Sequence, residues 1–140
     1  MVKKSLFIGV VVLLLISGIW THVKTSNLHH PVKVEDISSI TLWGVHGGYQ
    51  EATQTEGATQ EEIKNIVNWF NSVSDIRENR AFAGETPDSG IIIKEKNGEE
   101  FSIIRSGKDF EVQRKNKSGE TYSYWAIQKE IKKLLDELAQ

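Results

Sequence analysis

The sequence predicts an α+β fold, a two-layer sandwich in which an antiparallel meander sheet of four to six strands carries two amphipathic helices. Three observations lead there. Apolar residues recur at helical spacing in two places, Ile63, Ile66, Val67 and Phe70 in one and Ile127, Ile131, Leu134, Leu135 and Leu138 in the other. Between them, short segments alternate apolar and polar residues and are separated by two- or three-residue turns rich in glycine. Such turns join antiparallel neighbours, and two helices with apolar stripes need one face of a sheet to cover. The composition agrees, with 39% hydrophobic and 26% charged residues over 140, enough for a packed core and too apolar for a disordered chain.

The chain opens with Lys3 and Lys4, ahead of an apolar run from Leu6 to Trp20. Positive residues before such a run keep the N-terminus in the cytoplasm and send the downstream chain across a membrane. Residues 1–20 therefore read as an export signal or membrane anchor, with the membrane contacted through residues 6–20. At 1.5 Å per residue the run reaches roughly 22 Å, short of a hydrocarbon core of about 30 Å, which favours a signal that is removed. The residues after it favour retention: bulky Trp20 and His22 replace the small-x-small pattern that signal peptidases cut. The expectation is a single-pass anchor with the C-terminal domain extracytoplasmic; secretion after cleavage is the alternative.

Residues 21–35 lack any period and read as a linker. The adjacent pair His29-His30 has no third ligand in view, so no metal is expected there. The domain then occupies residues 36–140. Its first strand runs from Ile37 to Val45, with Trp43 on the face opposite Ile40 and Leu42, so burying all three requires cover on both sides of the sheet. His46-Gly47-Gly48 turns the chain into a short returning strand over 49–55. Thr59 and Glu62 form a capping box for the first helix. The segment from Ser74 to Ser89 reads as a long loop. Three strands come next, Gly90 to Lys96, Glu100 to Arg105 and Asp109 to Lys115, the first two joined by Asn97-Gly98. A fourth, Glu120 to Tyr124, precedes a helix from Trp125 to Leu138.

Candidate chemistry is sparse. With no cysteine in the chain, thiol catalysis, disulfides, thiolate metal sites and a lipidated cysteine are all excluded. His46 is the one histidine inside the domain and has no serine elbow beside it. Glu61-Glu62 and Glu99-Glu100 are adjacent acids that point apart, unlike the facing pair of a glycoside hydrolase. No catalytic residue, metal site or cofactor is expected. The whole chain carries −2, and setting aside Lys3 and Lys4 leaves −4 for the rest, with basic and acidic residues interleaved. Nucleic acid is therefore not an expected partner.

Two features remain. Trp43, Tyr49, Tyr122 and Trp125 are enough aromatic surface for a partner or ligand patch. The segment from Ser74 to Ser89 carries Arg77, Arg80 and Phe82, suited to an acidic group beside an apolar one. These seven residues are the candidate binding set for an envelope protein or peptide. The lysine-led export segment, the Ile37-x-x-Ile40-x-Leu42 strand, the capped Ile63-x-x-Ile66-Val67 helix, the Asn97-Gly98 hairpin and the C-terminal Ile131-x-x-Leu134-Leu135 helix resemble small uncharacterised exported or membrane-anchored domain proteins of low-GC Gram-positive bacteria. That resemblance implies a cell-envelope setting and carries no catalytic residues. The reading is a tethered binding domain, with an inhibitor or immunity protein as the alternative and a cell-wall hydrolase third.

Overall fold

The computed structural model describes residues 27–45, 53–56, 58–79, 86–115 and 118–140, with 53–56 described by their backbone. The chain divides into two compact units, residues 1–30 and 31–140, and the second holds the α+β fold. The membrane segment expected over 6–20 lies outside the described residues. Among those described, no helix is long and apolar enough to cross a membrane.

A single turn of 3-10 helix over Val34–Asp36 leads into strand β1, Ile37–Gly44. The later elements are β2 (Thr53–Glu56), α1 (Gln60–Asn71), β3 (Ser74–Glu78), β4 (Ser89–Glu95), β5 (Glu100–Ser106), β6 (Asp109–Lys115), β7 (Thr121–Ile127) and α2 (Lys129–Leu138). The strands form one antiparallel sheet in the order β2-β1-β4-β5-β6-β7-β3. The sheet thus has seven described strands where four to six were expected. The added one is β3, which begins inside the stretch read as a loop.

Strands β4 to β7 form the expected meander. Gly98, Gly107 and Gly119 sit in its three turns with φ of +87°, +54° and +83°, a region that side-chain-bearing residues rarely adopt. The β1 and β3 strands are brought to the meander from a distance, β1 against β4 and β3 against β7. On α1 the capping box forms as the sequence implies: Thr59 Oγ1 accepts from the Glu62 N–H at 3.3 Å, and Glu62 Oε2 accepts from the Thr59 N–H at 2.7 Å. Hydrogen bonds from Thr59 favour the ionised carboxylate and hold the Glu62 carboxyl below its usual range. The second helix is shorter than expected. Trp125 to Ile127 belong to β7, and the helix begins at Lys129, capped by the Gln128 side chain, which accepts from the Ile131 N–H at 2.8 Å.

Both helices lie on the same face and touch each other. Beneath them, Ile40, Ile91, Ile93, Phe101, Ile103, Phe110, Val112, Tyr124 and Ala126 are buried on the sheet, meeting Ile63, Ile66, Val67 and Phe70 of α1 and Ile131 and Leu135 of α2. The Phe70 and Phe101 rings stand 5.0 Å apart, and Ser89 Oγ donates to the Leu135 carbonyl at 2.7 Å, tying α2 to β4. The chain enters the domain at Val32, whose N–H and C=O are both bonded by the Asn71 side chain, at 2.9 and 2.8 Å.

Candidate functional site

Residues paired across an antiparallel sheet point to the same face, so the register assigns every side chain to a side. Leu42, Ile91, Ile103, Val112 and Tyr124 lie in one row beneath the helices. The next row, one residue along each strand, lies on the face that neither helix covers. It reads Trp43, Gly90, Ile104, Glu111, Trp125, Arg77 across six strands. At a spacing of about 4.8 Å between strands, the two tryptophans stand roughly 19 Å apart along this row.

Each position has a local reason. Gly90 has no side chain, and the Trp43 indole lies over its backbone: a Cβ at residue 90 would stand 2.6 Å from Nε1 and 2.7 Å from Cε2 and Cζ2. The ring therefore lies along the sheet toward Ile104, covering a glycine that would otherwise leave the strand bare. Trp125 is half-buried on β7, directly beside Glu111. Glu111 is only 5% exposed. Its Oε1 accepts from Asn79 Nδ2 at 3.0 Å and from Gln113 Nε2 at 3.4 Å. Asn79, just past β3, is held in place by its own N–H, which donates to the Ser123 carbonyl at 3.0 Å. Ser123 is 2% exposed on the same face, two residues before Trp125, and its Oγ is buried without a hydrogen-bond partner among the described residues. Among those residues no Lys, Arg or His forms an ion pair with Glu111. The result is a carboxylate in the row, directly beside Trp125, with two amides bonded to it and a buried hydroxyl on the neighbouring strand.

Arg77 closes the row at its β3 end. Its guanidinium pairs with Asp75 at 3.3 Å and closely with Asp109. Two acids of this chain therefore stand at the Arg77 guanidinium, which is itself half exposed.

The seven residues singled out from the sequence separate into three groups. Trp43, Trp125 and Arg77 share the helix-free row. Tyr122 does not: it pairs with Arg114, and with Phe101, Ile93 and Ile40 it belongs to the helix side. There the Arg114 guanidinium lies over the Phe101 ring, 4.4 Å from its centroid, and reaches Glu95 Oε1 at 3.4 Å. Burial pushes the Tyr122 and Tyr124 hydroxyls above the usual phenol range, Tyr124 by far the more, and raises the Glu95 carboxyl, with Glu99 and Asp36 adding to the rise against the pull of Arg114. Tyr49, Arg80 and Phe82 lie outside the described residues, as does His46. Glu111, Asn79 and Ser123 were not singled out by the sequence. Among the described residues no group of three His, Asp or Glu side chains is placed to hold a metal ion. Comparison with models of protein families, with curated protein sequences and with solved structures finds no match.

Proposed function

We propose that this protein is a membrane-tethered extracytoplasmic binding domain whose helix-free sheet face takes a protein, peptide or envelope component. The observation that carries the reading is the row itself. Two half-buried tryptophans flank a nearly buried carboxylate on a face that both helices leave uncovered. Aromatic anchors around a desolvated polar centre are the usual composition of a recognition surface. A purely structural face has little use for a nearly buried carboxyl that meets only two amides among the described residues. The tethering half of the proposal rests on Lys3, Lys4 and the apolar run behind them.

The test is cross-linking capture from envelope preparations with the full-length chain. Trp125→Ala and Trp43→Ala are expected to lose the captured partner while keeping wild-type circular dichroism. Tyr122→Phe, on the opposite face, is expected to keep it. Undiminished capture by both tryptophan variants would remove this face from the function.

A further inference from the structure

We propose that the helix-free row is a receptor for a basic side chain, the ammonium of a lysine or the guanidinium of an arginine, presented by an extended segment of a protein partner. This rests on the reading of that face as the binding surface and adds what it selects. Charge points to such a ligand. Glu111 is buried at 5% exposure, its Oε1 receives only neutral amide donors among the described residues, and no described cation of the chain balances it. A buried carboxylate with no counter-charge among the described residues is a place where an incoming cation gains a charge-assisted hydrogen bond. The one described cation in the row, Arg77, is engaged by Asp75 and Asp109 and does not serve.

The orphaned hydroxyl points the same way. Ser123 Oγ is buried with no partner among the described residues, on the same face as Glu111 and on the adjacent strand. A buried polar atom of this kind calls for a ligand group to satisfy it. Ser123 is a diagonal cross-strand neighbour of Glu111, and an ammonium or guanidinium carries several donors with which to serve both. The apolar surround fits the rest of the ligand. Ile104 beside Glu111 suits the methylene stem of a long basic side chain, and indole faces attract a cation. A chain extended at about 3.3 Å per residue needs roughly six residues to span the distance between the tryptophans. The domain's excess of acids over bases draws a basic segment and repels an acidic one. A neutral sugar chain would stack on the tryptophans but leave the carboxylate unbalanced.

The experiment is calorimetric titration of the full-length chain in detergent with blocked alanine pentapeptides whose central residue is lysine, arginine, norleucine or Nε-acetyl-lysine. A chitosan oligomer serves as a non-peptide amine. The lysine and arginine peptides are expected to bind at least about tenfold more tightly than the norleucine and acetyl-lysine ones, and to weaken as salt rises. Glu111→Gln should abolish that difference. Should Glu111→Gln fold poorly, Gln113→Lys gives a second measure. It places an ammonium within reach of Glu111 from inside the chain, and is expected to block the lysine peptide while melting no lower than wild type. Equal affinity for the lysine and norleucine peptides, or undiminished binding by Gln113→Lys, overturns the proposal. So does binding of chitosan without binding of the lysine peptide. Loss of partner capture in Trp125→Ala together with equal peptide affinities would overturn the cation and leave the binding face standing.

Discussion

The two faces of the sheet are built from the same strands, with the same alternation, and are put to different use. Beneath the helices, β4 to β7 contribute Ile91, Ile93, Phe101, Ile103, Phe110, Val112 and Tyr124, all buried among other carbon. One residue along each strand, the other face carries Gly90, Ile104, Glu111 and Trp125, with Trp43 beside them from β1. Even charge is handled differently. On the helix side, buried Arg114 has Phe101 beneath it and Glu95 opposite. On the other side, buried Glu111 meets only amides among the described residues. A compensated buried charge suits a closed core, whereas a buried carboxyl that meets only amides among the described residues is the feature on which the proposed partner site rests.

The largest test of this contrast pairs one aromatic from each face. Phe110→Ala removes a fully buried ring and is expected to cost about 3–5 kcal/mol in urea unfolding. Trp125→Ala removes a larger but half-exposed ring and should cost about 1 kcal/mol while losing the partner. Equal destabilisation by the two would mean that the helix-free face is a second core and not a surface.

A smaller effect is expected at Gly90. Gly90→Ala places a methyl group where the Trp43 indole lies, so the ring must move off the strand. The cost is about 1–3 kcal/mol, and a change in near-ultraviolet circular dichroism should accompany it. An unchanged aromatic spectrum would show that the indole does not lie on Gly90 in solution.

The smallest effect is a slope in pH. Burial raises the Glu95 carboxyl, so the folded state holds that proton more tightly than the unfolded chain does. Its contribution to stability is fully present below the unfolded value, near 4.5, and is lost as pH rises through the raised folded value. Asp136, held below its usual range by Lys132 and Arg105, works in the opposite sense: its contribution is present above the unfolded value and is lost as pH falls through the lowered folded one. Glu95→Gln is therefore expected to flatten the fall in urea midpoint between about pH 4.5 and neutrality. A slope unchanged from wild type would mean that the carboxyl is hydrated in solution.

What could be read from residues alone obeys a physical divide. Features set by near neighbours were legible: the capping box at Thr59 and Glu62, the stripe of α1, the glycine turns, and the placement of Trp43 opposite Ile40. Features set by distant pairing were not. The β3 strand is short, polar at every position but Ile76, and bulged, with Asp75 at φ +49°; its strand partner is β7, far along the chain. The apolar spacing extends the second helix back to Trp125 because Ile127 falls on its stripe, yet Ile127 ends β7 and is 41% exposed. The site was half visible for the same reason. Trp43, Arg77 and Trp125 stand out by residue type. Glu111, with Gln113 two residues along its own strand, looks like an ordinary outward acid until Trp125 is placed beside it in β7 and Asn79 is brought to it past β3, a strand the sequence does not reveal.

The grip of Asn71 on Val32 has a mechanical side. A pull on the chain ahead of residue 32 does not reach the sheet first. It loads two hydrogen bonds acting as a bracket at the C-terminal end of α1, each worth about 1 kcal/mol net. Beyond the bracket the load meets β1, which must slide lengthwise past β4 and break its ladder together and not one rung at a time. Low forces would therefore be absorbed as slack released at Val32, while Trp43, near the far end of β1, stays in register with Gly90. A domain held this way can be pulled from the side of Val32 without disturbing the register of Trp43 with Gly90.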